Sequence, residues 1–414
     1  MKRLNHLDYY RLPWNLADNT ISWLEPTVKC NLSCDGCYRK NENKHKSLDQ
    51  IKEELAVFKK LRKVDGFSIA GGEPLLHPDI IEIVRLIKED GVKPIINSNG
   101  VALTKELLME LKKAGVFGFT FHVDSKQGRP GWKDADEIKL NELRYKYASM
   151  LKEAKNIACS FNSTVYEDTM HHVPGMVKWA NDNIDMVQTM VFIIYRAVKN
   201  DKFDYYIGPN MVNTGNLVYN KEEEERTDII ADEIVDLIRT AEPDFDPCGY
   251  LNGTNDPSFF KWLCTVKLAS RKKTYGYMGR KGMEIVQSAH HLLFDKYLAY
   301  TLPKWAAKGK SMLLMGAFDK GLRKTFFNFY KNPFRLFTKL YNQSIMIIQP
   351  IDVLEDGRHN MCDGCPDITV WNGKLVWSCR MEEQENFGRN FNTYPKGYFE
   401  DLKKKLTEKE TSLS

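Results

Sequence analysis

The sequence predicts an α/β fold built on a parallel sheet, followed by a basic helical segment and a small cysteine-bearing C-terminal region. Three observations point there: β-type runs alternate with helical stretches through the first half, positive charge gathers between residues 266 and 340, and cysteines cluster near both ends. The β-type runs lie near 23–28, 67–70, 94–97, 118–123, 158–165 and 187–194. Strand and helix in alternation imply crossover connections and hence parallel pairing. The stretch "ALTKELLMELKKAG" illustrates the helices, with Leu107, Leu108, Leu111 and Ala114 on one face and Gly115 as a C-terminal stop. "IIEIVRLIKEDG" ends in the same way at Gly91.

With 414 residues the chain exceeds the usual domain range of roughly 100–200, so one large domain with appendages is expected. Apolar residues at 43% and charged residues at 28% are ordinary globular values and exclude a disordered or fibrous chain. The N-terminal "MKRLNHLDYYRLPWNLADN" has early basic residues but no apolar stretch of signal-peptide type. No run approaches the roughly 20 apolar residues that span a bilayer. A cytoplasmic protein is therefore expected, in which clustered thiols read as metal-binding or catalytic before they read as disulfides.

Cys30, Cys34 and Cys37 form CxxxCxxC within "VKCNLSCDGCYRK", a segment rich in loop formers. A closed structural zinc site needs four ligands, and after Cys37 no cysteine or histidine follows until His45. A [4Fe-4S] cluster takes one thiolate per iron, so three cysteines leave one iron open to a small molecule. CxxxCxxC followed by the aromatic Tyr38, after a first strand, resembles the signature of the radical S-adenosylmethionine (SAM) superfamily. "SIAGGEPLLHPDI" supplies Gly71, Gly72, Glu73 and Pro74, similar to the GGEP motif of that superfamily. The resemblance implies a partial (β/α)6 TIM-like barrel over residues 21–225, after an N-terminal extension of residues 1–20. It further implies a SAM-binding [4Fe-4S] cluster, cleavage of SAM to a 5'-deoxyadenosyl radical, and receipt of the SAM amino group by GGEP. A flavodoxin- or ferredoxin-type electron donor is expected with it. Polar residues at strand ends, Asn97, Asn99 and Ser125, are the candidate ribose and carboxylate contacts; the competing reading is polar residues at ordinary turns.

"HNMCDGCPDITVWNGKLVWSCRMEEQENFGRN" adds Cys362, Cys365 and Cys379 around a hairpin turn at Asn372-Gly373. This stretch resembles the auxiliary-cluster regions called SPASM or twitch, which places an auxiliary iron–sulfur region at 346–414. A full SPASM domain carries seven cysteines, and this tail has three. One auxiliary [4Fe-4S] cluster is expected, with Cys264 or Cys248 as fourth ligand or a site left open, while structural zinc and unligated thiols remain alternatives. Cys159, inside a β-type run, reads as a buried apolar residue.

Between Val266 and Leu340 there are 16 Lys plus Arg against 3 Asp plus Glu, a net +13 in a chain whose total is +5. Phe326, Tyr330, Phe334, Phe337 and Tyr341 recur at helical spacing among basic residues, although Asn332-Pro333 should break the helix. Residues 226–345 are thus expected to form a helical substrate or membrane segment. Three readings stand: core-packing helices, a surface helix pair on anionic lipid, or RNA binding by stacking and phosphate contacts. In overall organisation the chain resembles radical SAM enzymes of membrane lipids, the adenosyl-hopene and tetraether or membrane-spanning lipid synthases. The leading expectation is a radical SAM enzyme acting on an unactivated C–H or alkene of a lipid, peripheral on the inner face of the membrane. The alternatives are a SPASM-type peptide or protein maturase, weakened by the lack of a separate leader-peptide module, and an RNA-modifying radical SAM enzyme. A non-catalytic iron–sulfur or zinc protein binding RNA is the third class, and DNA is not expected as a partner.

Overall fold

A computed structural model describes residues 3–196, 202–215, 217 and 226–411. The expected barrel end at residue 225 lies outside the described residues. Strand β1 (Tyr10–Arg11) is followed by β2 (Ile21–Thr27), β3 (Gly66–Gly71), β4 (Lys93–Ser98), β5 (Gly118–His122), β6 (Ala158–Val165) and β7 (Thr189–Ile194). β2 to β7 pair in chain order, each parallel to the next. These are the six runs read from the sequence. The crossover helices are α1 (Leu48–Leu61), α2 (Ile80–Glu89), α3 (Lys105–Ala114), α4 (Asn141–Ala154) and α5 (Val173–Asp182).

Local chemistry sets the helix ends. Ser47 and Gln50 form a reciprocal capping box at the start of α1. Gly115, at φ +100°, closes α3 in the left-handed region that a side chain disfavours. Leu108, Leu111 and Ala114 of α3 are buried, as their spacing demands, and Cys159 is sealed in the same core with Phe119 and Phe161.

The sheet does not stop at six strands. After β8 (Phe203–Ile207), β9 (Asn210–Met211) and helix α6 (Ala231–Ala241) come β10 (Gly249–Asn252), β11 (Phe260–Ser270) and β12 (Lys273–Tyr277). β13 (Tyr341–Ile348) lies parallel to β7 and antiparallel to β11, so the sheet runs β1-β10-β11-β13-β7-β6-β5-β4-β3-β2, with β12 paired to β11. The basic segment is helical in α7 (Arg280–Phe294), α8 (Pro303–Ala306), α9 (Gly309–Met312) and α10 (Lys320–Tyr330), and β10 to β12 stand ahead of those helices. Past α7 the chain crosses the lower end of the sheet: Asp65 accepts from the Ala299 amide, and Lys93 donates to the Tyr300 carbonyl.

The aromatic stripe does not form one helical face. α10 ends at Tyr330, Pro333–Phe337 is a separate 3-10 turn, and Tyr341 opens β13. Phe329 and Leu322 are buried against Tyr275 and Met278, while Phe334 and Phe337 are exposed. The reason is the one foreseen, since proline cannot continue the helix. No helix among the described residues is long and apolar enough to cross a membrane.

The tail begins with the β14 (Asp352–Val353) and β15 (His359–Asn360) pair and the hairpin of β16 (Ile368–Trp371) and β17 (Lys374–Trp377). Asn372 and Gly373 at its tip both have positive φ, as a tight hairpin turn requires. Helix α11 (Met381–Phe387), β18 (Asn392–Pro395), paired to β8, and α12 (Tyr398–Thr411) complete the chain.

Candidate active site

In a parallel sheet with crossover helices, ligands gather at the carboxyl ends of the strands. The loop after β2 carries Cys30, Cys34 and Cys37 there, and all three thiols are partly exposed. They are mutual neighbours: burial raises the Cys34 thiol most, with Asp124, Cys37 and Cys30 adding to it. The Cys30 amide is held by Asn41 Oδ1 at 2.9 Å, and the Cys37 thiol donates to the Arg39 carbonyl at 3.2 Å.

The Gly-Gly-Glu stretch ends β3 directly beneath this loop. Gly71 sits at φ +97°, and a Cβ on Gly72 would overlap the Lys29 carbonyl oxygen, so only glycine lets the two loops approach. Glu73 is buried and accepts from Ser98 Oγ at 2.8 Å, the Asn99 amide at 2.7 Å and the Leu75 amide at 3.0 Å. Burial outweighs those donors and pushes its carboxyl up to about 7. Pro74 opens the short 3-10 turn that follows. Gly72→Ala is expected to force the thiol loop outward at a cost of about 1–3 kcal/mol. The checks are a lowered denaturation midpoint and weakened SAM binding in the reconstituted protein.

The other sequence-derived candidates divide. Asn99 joins the site, its Nδ2 donating to Asn31 Oδ1 at 2.7 Å and lying 3.8 Å from the Cys30 sulfur. Asn97, at the end of β4, holds a buried Nδ2 with no hydrogen-bond partner, a donor free for a ligand. Ser125 is fixed by its amide, which donates to Glu137 Oε1 at 2.7 Å. The Tyr38 hydroxyl accepts from Trp23 Nε1 and donates to Glu25 Oε1.

Sequence reading missed Glu25, Arg39 and Glu137. Arg39 Nε lies 3.3 Å from Glu25, and the rest of its guanidinium pairs with Glu385 of α11, while the Lys40 amide donates to Glu382. The thiol loop is thereby clasped by the tail. A Glu-Arg-Glu set spread over 360 residues, buried at Glu25 and Arg39 and exposed at Glu385, has no spacing signature in a sequence.

The tail thiols converge at the other end of β2. Cys362 and Cys365 are buried, the two thiols are in mutual contact, and Cys379 lies near enough that Cys362 raises it further. Arg62, at the end of α1, donates to the carbonyls of Ile21, Cys365 and Pro366, and Asn19 donates to that of Gly364. The two thiol sets therefore flank a strand of seven residues, about 20 Å long at ~3.3 Å per residue.

Strand register offsets Cys248 and Cys264 from the tail trio, although they share an apolar cluster with Cys362 and Cys365. Cys264 is opposite Gly249, whereas Cys362 bridges Gly253, four residues further, roughly 13 Å at ~3.3 Å per residue. The Cys248 thiol lies 3.4 Å from the Cys264 carbonyl oxygen, and both side chains pack in a layer with Leu12, Leu251 and Trp262. They behave as small apolar residues.

Both trios suit iron–sulfur chemistry as donor sets, because each thiolate takes its own iron. Among the described residues no three His, Cys, Asp or Glu side chains are drawn together around a single ion. A four-iron cluster spreads its thiolates more widely than one ion does.

Residues 24–179 match the radical SAM superfamily. A tungsten-containing aldehyde ferredoxin oxidoreductase cofactor-modifying protein from Pyrococcus furiosus is 33% identical over 108 residues, 25% of this chain and 30% of that protein. A GTP 3',8-cyclase from Aquifex aeolicus is 39% identical over 108 residues, 24% of this chain and 33% of that one. The matches thus span about a third of the length of these curated relatives. Streptococcus suis SuiB bound to precursor peptide SuiA aligns at a TM-score of 0.35 and 20% identity, covering 44% of this chain and 40% of SuiB.

The lipid substrate and the anionic membrane surface expected from the sequence are corrected. The curated relatives just described are a cofactor-modifying protein and a GTP 3',8-cyclase. Within the chain, the aromatics that suggested one lipid-facing helix are divided among a helix, a turn and a strand. The part of the sequence reading that stands is the domain: residues 24–179 match the radical SAM superfamily and carry Cys30, Cys34 and Cys37 on one loop.

Proposed function

We propose that the protein is a radical SAM maturase of peptide or protein substrates with two [4Fe-4S] clusters, one at Cys30, Cys34 and Cys37 and one in the tail. The observation that carries this reading is the second thiol set at the start of β2, with Cys362 and Cys365 buried and Cys379 half-buried, the organisation that the SPASM resemblance implies. When bound, cluster and SAM supply the radical that abstracts hydrogen. The chain's own residues do the positioning. Glu73 is held at the site by three donors, Asn97 offers an unused one, and Arg39 ties the thiol loop to the tail.

Anaerobic reconstitution tests the reading. The wild-type protein is expected to hold about eight irons, and the Cys362→Ala, Cys365→Ala, Cys379→Ala variant about four. Equal iron in the two proteins contradicts the tail cluster. With SAM and dithionite, 5'-deoxyadenosine formation should rise when a peptide fraction of a cell extract is added, with a mass change in one peptide. A rise only with the small-metabolite fraction contradicts the substrate class.

A further inference from the structure

Three cysteines leave the tail cluster one ligand short, and strand register sets the spare Cys264 opposite Gly249, four residues from the Gly253 bridge to Cys362. Next to the trio is a carboxylate with nothing to do. Asp367 follows Cys365 by two residues, and its backbone carbonyl accepts from the Ser378 amide at 3.1 Å, which joins it to the turn that carries Cys379. Its charge acts on both Cys365 and Cys379. Oδ1 is sealed from solvent and has no hydrogen-bond partner.

The nearby cation does not satisfy it. Arg62 is within electrostatic reach of Asp367, yet its hydrogen bonds go to the carbonyls of Asn15, Leu16, Ile21, Cys365 and Pro366. The other carboxylate near Cys379, Glu383, is committed: it pairs with Arg380 through both oxygens and accepts from the Phe391 amide. Asp367 as a whole is half-buried, but its enclosed Oδ1 lacks a partner, which is costly, and such groups are neutralised, paired or bound to metal. Among the described residues around the trio, Asp367 alone combines a sealed, unused oxygen with a backbone link to the turn that carries Cys379.

We infer that Asp367 is the fourth ligand of the tail cluster, giving a Cys3Asp set of Cys362, Cys365, Cys379 and Asp367. The inference rests on the two-cluster reading above. An oxygen ligand makes one iron of the cluster chemically distinct from the other three, which a spectrum of the resting protein reads without turnover.

The test uses the full chain with Cys30, Cys34 and Cys37 changed to Ala, reconstituted anaerobically with iron and sulfide, so that only the tail cluster is present. Mössbauer spectra are expected to show one iron with a higher isomer shift than the rest. Asp367→Ala should convert the cluster to a three-iron form seen by electron paramagnetic resonance. Asp367→Cys should restore four irons with the distinct site lost, and it guards against misfolding of the Ala variant. No iron in the parent overturns both the tail cluster and its ligand. Four irons with a spectrum unchanged by Asp367→Ala and Asp367→Cys overturn the ligand alone.

Discussion

Changing Cys30, Cys34 and Cys37 together to Ala is expected to remove about four irons and all reductive cleavage of SAM. The three thiols sit on one loop at the carboxyl end of β2, over the Gly71-Gly72 approach, and none is part of the apolar core. The fold should therefore survive, and an unchanged circular dichroism spectrum separates lost chemistry from lost structure. The tail iron should remain. Undiminished 5'-deoxyadenosine formation in this variant contradicts the placement of the SAM cluster.

The largest expected effect on stability is at Glu137. Its carboxylate lies 2.5 Å from the Arg144 guanidinium, and the two side chains are 1% and 0% exposed. It also accepts from the Ser125 amide at 2.7 Å and from Ser163 Oγ at 3.3 Å. Burial pulls Arg144 down from its usual range, and Glu137 is the main opposing influence. Removing one partner of such a pair leaves a buried charge uncompensated, and Glu137→Ala should lose about 3–5 kcal/mol. That is a large share of a typical total of about 5–15 kcal/mol. Glu137→Gln should lose less, since its amide oxygen still accepts. Urea denaturation measures both, and a loss under about 1 kcal/mol in the Ala variant contradicts the assigned role.

What could be read in advance followed from local patterning. The six strands β2 to β7 are short apolar runs bounded by helix stops such as Gly91 and Gly115, and they fell where those patterns placed them. β13 was missed although Gln343, Ile345 and Ile347 alternate inward, because its first residue, Tyr341, also continued a helical spacing of aromatics. Only its partners, β7 and β11, decide between strand and helix, and β7 lies some 150 residues earlier in the chain. The thiol trios were legible because cysteine spacing is a strong signal. Glu137 was not, since in "DADEIKLNELRYKY" it looks like one more surface acid. Asp367 carries no spacing at all, and only its orphaned oxygen beside the thiols marks it. The expectation of Cys264 or Cys248 as fourth ligand, or a site left open, came from residue type alone, which does not see the strand register that offsets Cys264 from the Cys362 bridge.

The central claim, that the trio after β2 supports radical SAM chemistry, is tested most directly by incubating the reconstituted wild-type protein with SAM under strict anaerobiosis. The measurement is 5'-deoxyadenosine, with and without dithionite. It is expected to form only when the reductant is present and the protein carries its full iron. Intact SAM in a reduced, fully iron-loaded protein would contradict it.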